Sequence, residues 1–123
     1  MKNLTKLTTI LFLTVFSSLG FAQCNNEEVG YVATFQVKAG SEAAFESALA
    51  TLAAKVNEVE QGVILYAPYK GAEGRYFMME RYENEAARTA HAKAPEVTAL
   101  FPAVFAHVAG EADIQPVSAV CGS

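Results

Sequence analysis

Between positions 75 and 82 the chain alternates, with Tyr76, Met78, Glu80 and Tyr82 on one side of an extended segment and Phe77, Met79 and Arg81 on the other. That period of two belongs to a β-strand. Both faces are largely apolar, so this strand is expected to be covered by helices on one side and by something else, such as a second subunit, on the other. Asn84 follows in an N-cap position, Glu85 suits the positive end of a helix, and His91 comes about two turns later. Residues 30–38 alternate in the same way and carry the β-branched and aromatic bias of a strand. Ala39-Gly40 turns the chain, and Ser41 is placed to cap a helix in which Phe45, Ala48, Leu49, Leu52, Val56 and Val59 recur at helical spacing until Gly62. Residues 63–68 form a further strand, joined by the turn-rich 70–74 to the alternating stretch as a hairpin. Beyond His91, Pro95 suits a first helical turn, and Val97, Leu100, Phe101, Val104, Phe105 and Val108 make a second apolar stripe that Pro102 must kink or split. Residues 112–120 form the last strand, where Pro116 favours a sheet edge.

The order β-α-β-β-α-β is that of the ferredoxin-like split βαβ fold, an α+β architecture with a four-stranded antiparallel sheet and helices on one face. Its usual strand order pairs the last strand antiparallel with the first. The start of the first strand then lies beside the end of the last, bringing Cys24 near Cys121.

Composition changes this picture mainly at the N-terminus. Lys2 and Lys6 precede the apolar run from Ile10 to Phe16, and small residues follow at Gly20 and Ala22, the three-part pattern of a secretory signal peptide. Residues 1–22 are thus expected to be a cleaved leader and 23–123 a single domain, periplasmic or secreted, with no stable membrane insertion after cleavage. Acylation of Cys24 is disfavoured by Gln23 just before it. The formal charge of −4 becomes more negative once the two leader lysines are gone, which argues against nucleic-acid partners. The two cysteines of an exported domain read as a Cys24–Cys121 disulfide, within or between subunits.

Dinucleotide, phosphate-loop, zincin and serine-hydrolase motifs are all missing from the chain, and with two histidines a zinc site made by protein alone is not expected. Candidate chemistry therefore falls to tyrosines, Glu80, Arg81 and a histidine. His91 shares a helical face with Ala87, Ala90 and Ala94, so its imidazole should enter the space between helix and sheet, with room beside it. It is either a core histidine satisfied by one hydrogen bond or a neutral base for a phenolic hydroxyl. Tyr66, Tyr69, Tyr76 and Tyr82 serve either as core packing or as hydroxyl donors to an aromatic ligand. Glu80 and Arg81 point to opposite faces and do not pair with each other. His107 reads as a surface residue.

The segments FQVKAGSEAAFESALATLA, EQGVILY and especially MMERYENEAARTAHAKAPEV resemble the antibiotic biosynthesis monooxygenase (ABM) domain, including its quinol-monooxygenase-like members, over about residues 31–108. The most specific features are Glu80-Arg81-Tyr82 followed by Ala87 and His91. The resemblance implies a homodimer of ferredoxin-like subunits with facing sheets, a dimeric α+β barrel. For enzymatic members it implies oxygenation of a small aromatic or quinol substrate without metal, flavin or haem. It casts His91 as the catalytic base, with Tyr66, Arg81 and Tyr82 as substrate-binding groups. Two departures are Tyr82, where quinol monooxygenases commonly carry tryptophan, and the leader. Haem-degrading relatives use a tryptophan and a histidine ligand; this chain has no tryptophan and offers Phe101 near the ligand position. The expected function is a cofactor-independent monooxygenase; the alternative is a non-catalytic dimer that binds small apolar ligands.

Overall fold

The computed structural model describes residues 25–120. The leader, Cys24 and Cys121 lie outside these residues, and with them the expected cleavage and disulfide. Strand β1 (Val29–Gln36) leads into helix α1 (Glu42–Val59), then the hairpin of β2 (Val63–Lys70) and β3 (Arg75–Tyr82). Three short helices follow, α2 (Glu85–Lys93), α3 (Pro95–Thr98) and α4 (Phe101–Phe105), before strand β4 (Asp113–Val117) closes the fold. The strands form one sheet in the order β2-β3-β1-β4, antiparallel throughout. This is the ferredoxin-like arrangement, with all helices on one face.

Alternation decides what each sheet face carries. Ala33, Phe35, Tyr66, Tyr76, Met78 and Tyr82 point to the helices and are buried. Against them α1 lays Phe45, Leu49, Leu52, Ala53 and Val56, spaced three or four residues apart so that they share one stripe. The opposite face carries Val32, Leu65, Ala67, Phe77 and Met79, with Met79 41% exposed at its centre and Tyr69 50% exposed beside it. Within one chain this apolar face has no covering layer.

Asn84 caps α2 as expected, its side chain accepting from the Ala87 N–H at 2.9 Å. Ser41 occupies the N-cap of α1, but its hydroxyl makes no capping hydrogen bond; its carbonyl accepts from the Phe45 N–H instead. The second helical region is three pieces rather than one kinked helix. Pro95 and Pro102 both lack an N–H and so start new segments at α3 and α4. Strand β4 is shorter than the apolar pattern of 112–120, and it lies at the sheet edge as Pro116 requires. Gly30 pairs with Val117, so the chain segments leading to both cysteines leave the sheet at the same end.

No helix among the described residues is long and apolar enough to cross a membrane.

Candidate functional site

A cavity of ≈ 180 Å³ lies between the sheet and the helices α2 and α4. An apolar cavity on the order of 150 Å³ holds one benzene-sized ring, so this one suits a single substituted ring. Its apolar walls come from Ala33 and Phe35 of β1, Leu52 of α1, and Phe101 and Val104 of α4. Five side chains with polar groups also line it: Tyr31, Tyr66, Glu80, Arg88 and His91.

His91 is 7% exposed, and its Nδ1 lies 3.0 Å from both carboxylate oxygens of Glu60. A carboxylate only accepts, so Nδ1 carries a hydrogen, and in the neutral form of the ring the lone pair is on Nε2. Among the described residues Nε2 has no hydrogen-bond partner. Three aromatic rings fix the imidazole plane: Tyr66 at 5.2 Å, Tyr82 at 5.4 Å and Phe101 at 6.2 Å between centroids. A base held by a buried carboxylate and packed into one orientation meets the geometric requirement for proton abstraction.

The turn after α1 makes this pairing possible. Glu60 is the C-cap of α1, and two residues on, Gly62 sits so near α2 that an added Cβ would fall 2.5 Å from Ala87 Cβ. The Glu83 N–H donates to the Gly62 carbonyl at 2.9 Å and ties the two segments together. His91, one turn beyond Ala87, is thereby brought against Glu60.

On the sheet floor Tyr31, Glu80 and Tyr66 are cross-strand neighbours on β1, β3 and β2. The Tyr82 hydroxyl donates to Glu80 Oε2 at 2.7 Å. Burial raises the Glu80 pKa above the ordinary carboxylate value, while the Tyr82 hydrogen bond, the His91 ring when it is protonated and the Arg88 charge oppose it. Burial, followed by the nearby Glu80 carboxylate, pushes the Tyr66 and Tyr82 phenols upward. Both phenols therefore keep their protons at neutral pH.

Of the residues expected from sequence, His91, Tyr66 and Tyr82 come together. Tyr82 stands behind Glu80, fully buried, rather than in the cavity wall. Arg81 is not brought to them. It points to the opposite sheet face and pairs with Glu28, Nε to Oε1 at 2.5 Å, because successive strand residues alternate sides. Glu60 and Arg88 were not foreseen. Nothing in local pattern marks Glu60, whereas Arg88, three residues before His91 on one helix, shares its face and was open to that argument.

The family model for antibiotic biosynthesis monooxygenase matches residues 29–103. A Caulobacter crescentus protein assigned to the antibiotic biosynthesis monooxygenases is 30% identical, with a TM-score of 0.73 over 79% of this chain and 93% of that one. SnoaB, a cofactor-independent oxygenase from Streptomyces nogalater whose structure is of a substituted form, is 21% identical. It has a TM-score of 0.67 over 76% of this chain and 93% of its own, a likeness of fold. A Methanosarcina mazei protein is similar at 22% identity and a TM-score of 0.69, covering 76% and 94% of the two chains. No curated protein matches the chain. The extent of the family match and the Caulobacter likeness, on the fold and site described above, show that this chain belongs to the antibiotic biosynthesis monooxygenase family.

Proposed function

We propose that the protein is an exported, homodimeric monooxygenase that oxidises a single-ring phenol or hydroquinone with dioxygen, without metal or organic cofactor. The observation that carries this is His91, held by Glu60 through Nδ1 and lining a ring-sized apolar cavity. A hydroquinone hydroxyl gives its proton to Nε2, and the Glu60 carboxylate stabilises the resulting imidazolium. The electron-rich anion transfers an electron to dioxygen, and the two radicals combine in a new carbon–oxygen bond. The peroxide adduct takes back the proton held on His91; loss of the hydrogen from the oxygenated ring carbon then breaks the O–O bond, leaves a carbonyl on that carbon and releases water. In sum, hydroquinone and dioxygen give hydroxyquinone and water.

The apolar outer sheet face supports the dimer, since burying it against a second copy would remove Met79 and Tyr69 from water. Gly30 opposite Val117 supports a disulfide between the flanking Cys24 and Cys121, and the leader pattern supports export.

Oxygen uptake on a panel of hydroquinones tests the reaction. Uptake by the wild type that His91→Ala lowers to background is expected. Equal uptake by the two would remove His91 from the mechanism. Retention of an aromatic ligand in native mass spectrometry without any uptake would establish the non-catalytic binder instead.

A further inference from the structure

The cavity has two chemically distinct ends. Inside are Glu80, Tyr66 and His91, and the outer rim is formed by Phe105 and Ile114, 46% and 51% exposed, together with Arg88. The Arg88 guanidinium lies 4.9 Å over the Tyr31 ring, a stacked position that leaves its in-plane N–H groups available. Among the described residues no carboxylate lies within ion-pairing distance of Arg88. Lys55, Lys70 and Arg81 each have an acidic partner, whereas Arg88, like Lys38, Arg75 and Lys93, has none among the described residues; of these four cations Arg88 is the one that lines the cavity. In a chain with 13 acidic residues against nine basic ones, an unpaired guanidinium fixed at the rim of an apolar cavity is a distinct feature.

We propose that Arg88 selects for ligands bearing an anionic group, so that the site takes hydroxylated aromatic acids: the ring and its hydroxyl enter toward His91, and the carboxylate stays at the rim on Arg88. A guanidinium matches a carboxylate with two parallel hydrogen bonds. An acid para to the hydroxyl sits at the opposite end of the ring, which leaves only the ring itself for the apolar walls. The inference names the ligand class of the same cavity; it rests on the cavity being the ligand site and not on the oxygenation step.

A purely structural role for Arg88 is separable, because its charge also acts on Glu80 through space. Loss of that effect would weaken acidic and neutral ligands alike. The test is calorimetric titration of the full protein with para-hydroxybenzoate and with the isosteric, neutral para-hydroxybenzamide. Wild type should bind the acid about ten- to hundredfold more tightly than the amide, the range for a hydrogen bond to a charged group. Arg88→Met should weaken acid binding far more than amide binding, so that the preference falls to within a few-fold, and Arg88→Lys should restore part of it. Thermal melts establish that each variant is folded. Equal binding of acid and amide by wild type, no binding of either, or equal losses for both in Arg88→Met would overturn the proposal. A preserved acid preference without oxygen uptake would refute the oxygenation reaction and leave this inference standing.

Discussion

His91 Nδ1 lies equidistant, at 3.0 Å, from the two carboxylate oxygens of Glu60, a residue 31 positions earlier in the chain. Both side chains are nearly enclosed, at 8% and 11% exposure, so this bond is shielded from solvent on the far side of the ring from the cavity. It sets the tautomer, and therefore which nitrogen is free to act as a base.

Glu60→Gln keeps the size of the side chain but removes the charge that stabilises the imidazolium. Its amide can also turn an N–H toward Nδ1 and so favour the other tautomer. Oxygen uptake should fall by about 10²-fold or more while the melting temperature changes little, by analogy with the loss of an orienting carboxylate in other bases. Uptake within a few-fold of wild type would show that Glu60 does not orient the base.

Gly62 should tolerate no side chain, since an alanine Cβ would lie 2.5 Å from Ala87 Cβ. Gly62→Ala is expected to cost about 1–3 kcal/mol in denaturant unfolding, as overpacking does. It should also reduce uptake by moving α2 away from Glu60. In the double variant Gly62→Ala with Ala87→Gly, uptake should recover, apart from a helix-propensity penalty of about 1 kcal/mol in stability. A strictly additive pair of stability losses would disprove the clash.

Glu80 gives a pH dependence with a definite sign. Burial raises its folded-state pKa above the unfolded value near 4.5, so protons bound to the native carboxyl exceed those bound in the unfolded chain above that pH. The Glu80 contribution to stability is therefore fully present below about pH 4.5 and is lost as pH rises through the folded-state pKa. Glu28 and Glu46, whose pKa values are lowered first by hydrogen bonds from Arg81 and Lys70, act in the opposite sense. They are present in both proteins of a Glu80→Gln comparison and cancel. The melting temperature of Glu80→Gln relative to wild type should rise between pH 4.5 and 8; a constant difference would mean that Glu80 titrates normally.

Met79 lies at the middle of the uncovered sheet face, between Val32 and Ala67. A lysine there would place a charge in the proposed dimer interface. Met79→Lys should be monomeric in sedimentation at concentrations where the wild type is a dimer, with an unchanged circular dichroism spectrum. A monomeric wild type would refute the dimer itself.

Much of the fold was legible because its signals are local. The two-residue period of 75–82, the stripe from Phe45 to Val56 and the cap at Asn84 each depend only on neighbours within a few positions, and each appears where the pattern puts it. Pro95 and Pro102 were visible too, but whether they kink a helix or divide it depends on how the pieces pack, and here they divide it. His91 was legible as an inward residue for the same local reason. Its partner was not, because Glu60 closes a different helix.

By itself the amino-acid order determined the sequence of elements, the faces they bury and the inward direction of His91, since each follows from side-chain periodicity along one segment. Only the tertiary structure decided what those faces meet. The close approach of Gly62 to Ala87 sets Glu60 on His91, and the stacking of Arg88 on Tyr31 sets a cation at the cavity rim. Such contacts join residues far apart in the chain through turn geometry and packing, for which no short sequence period exists.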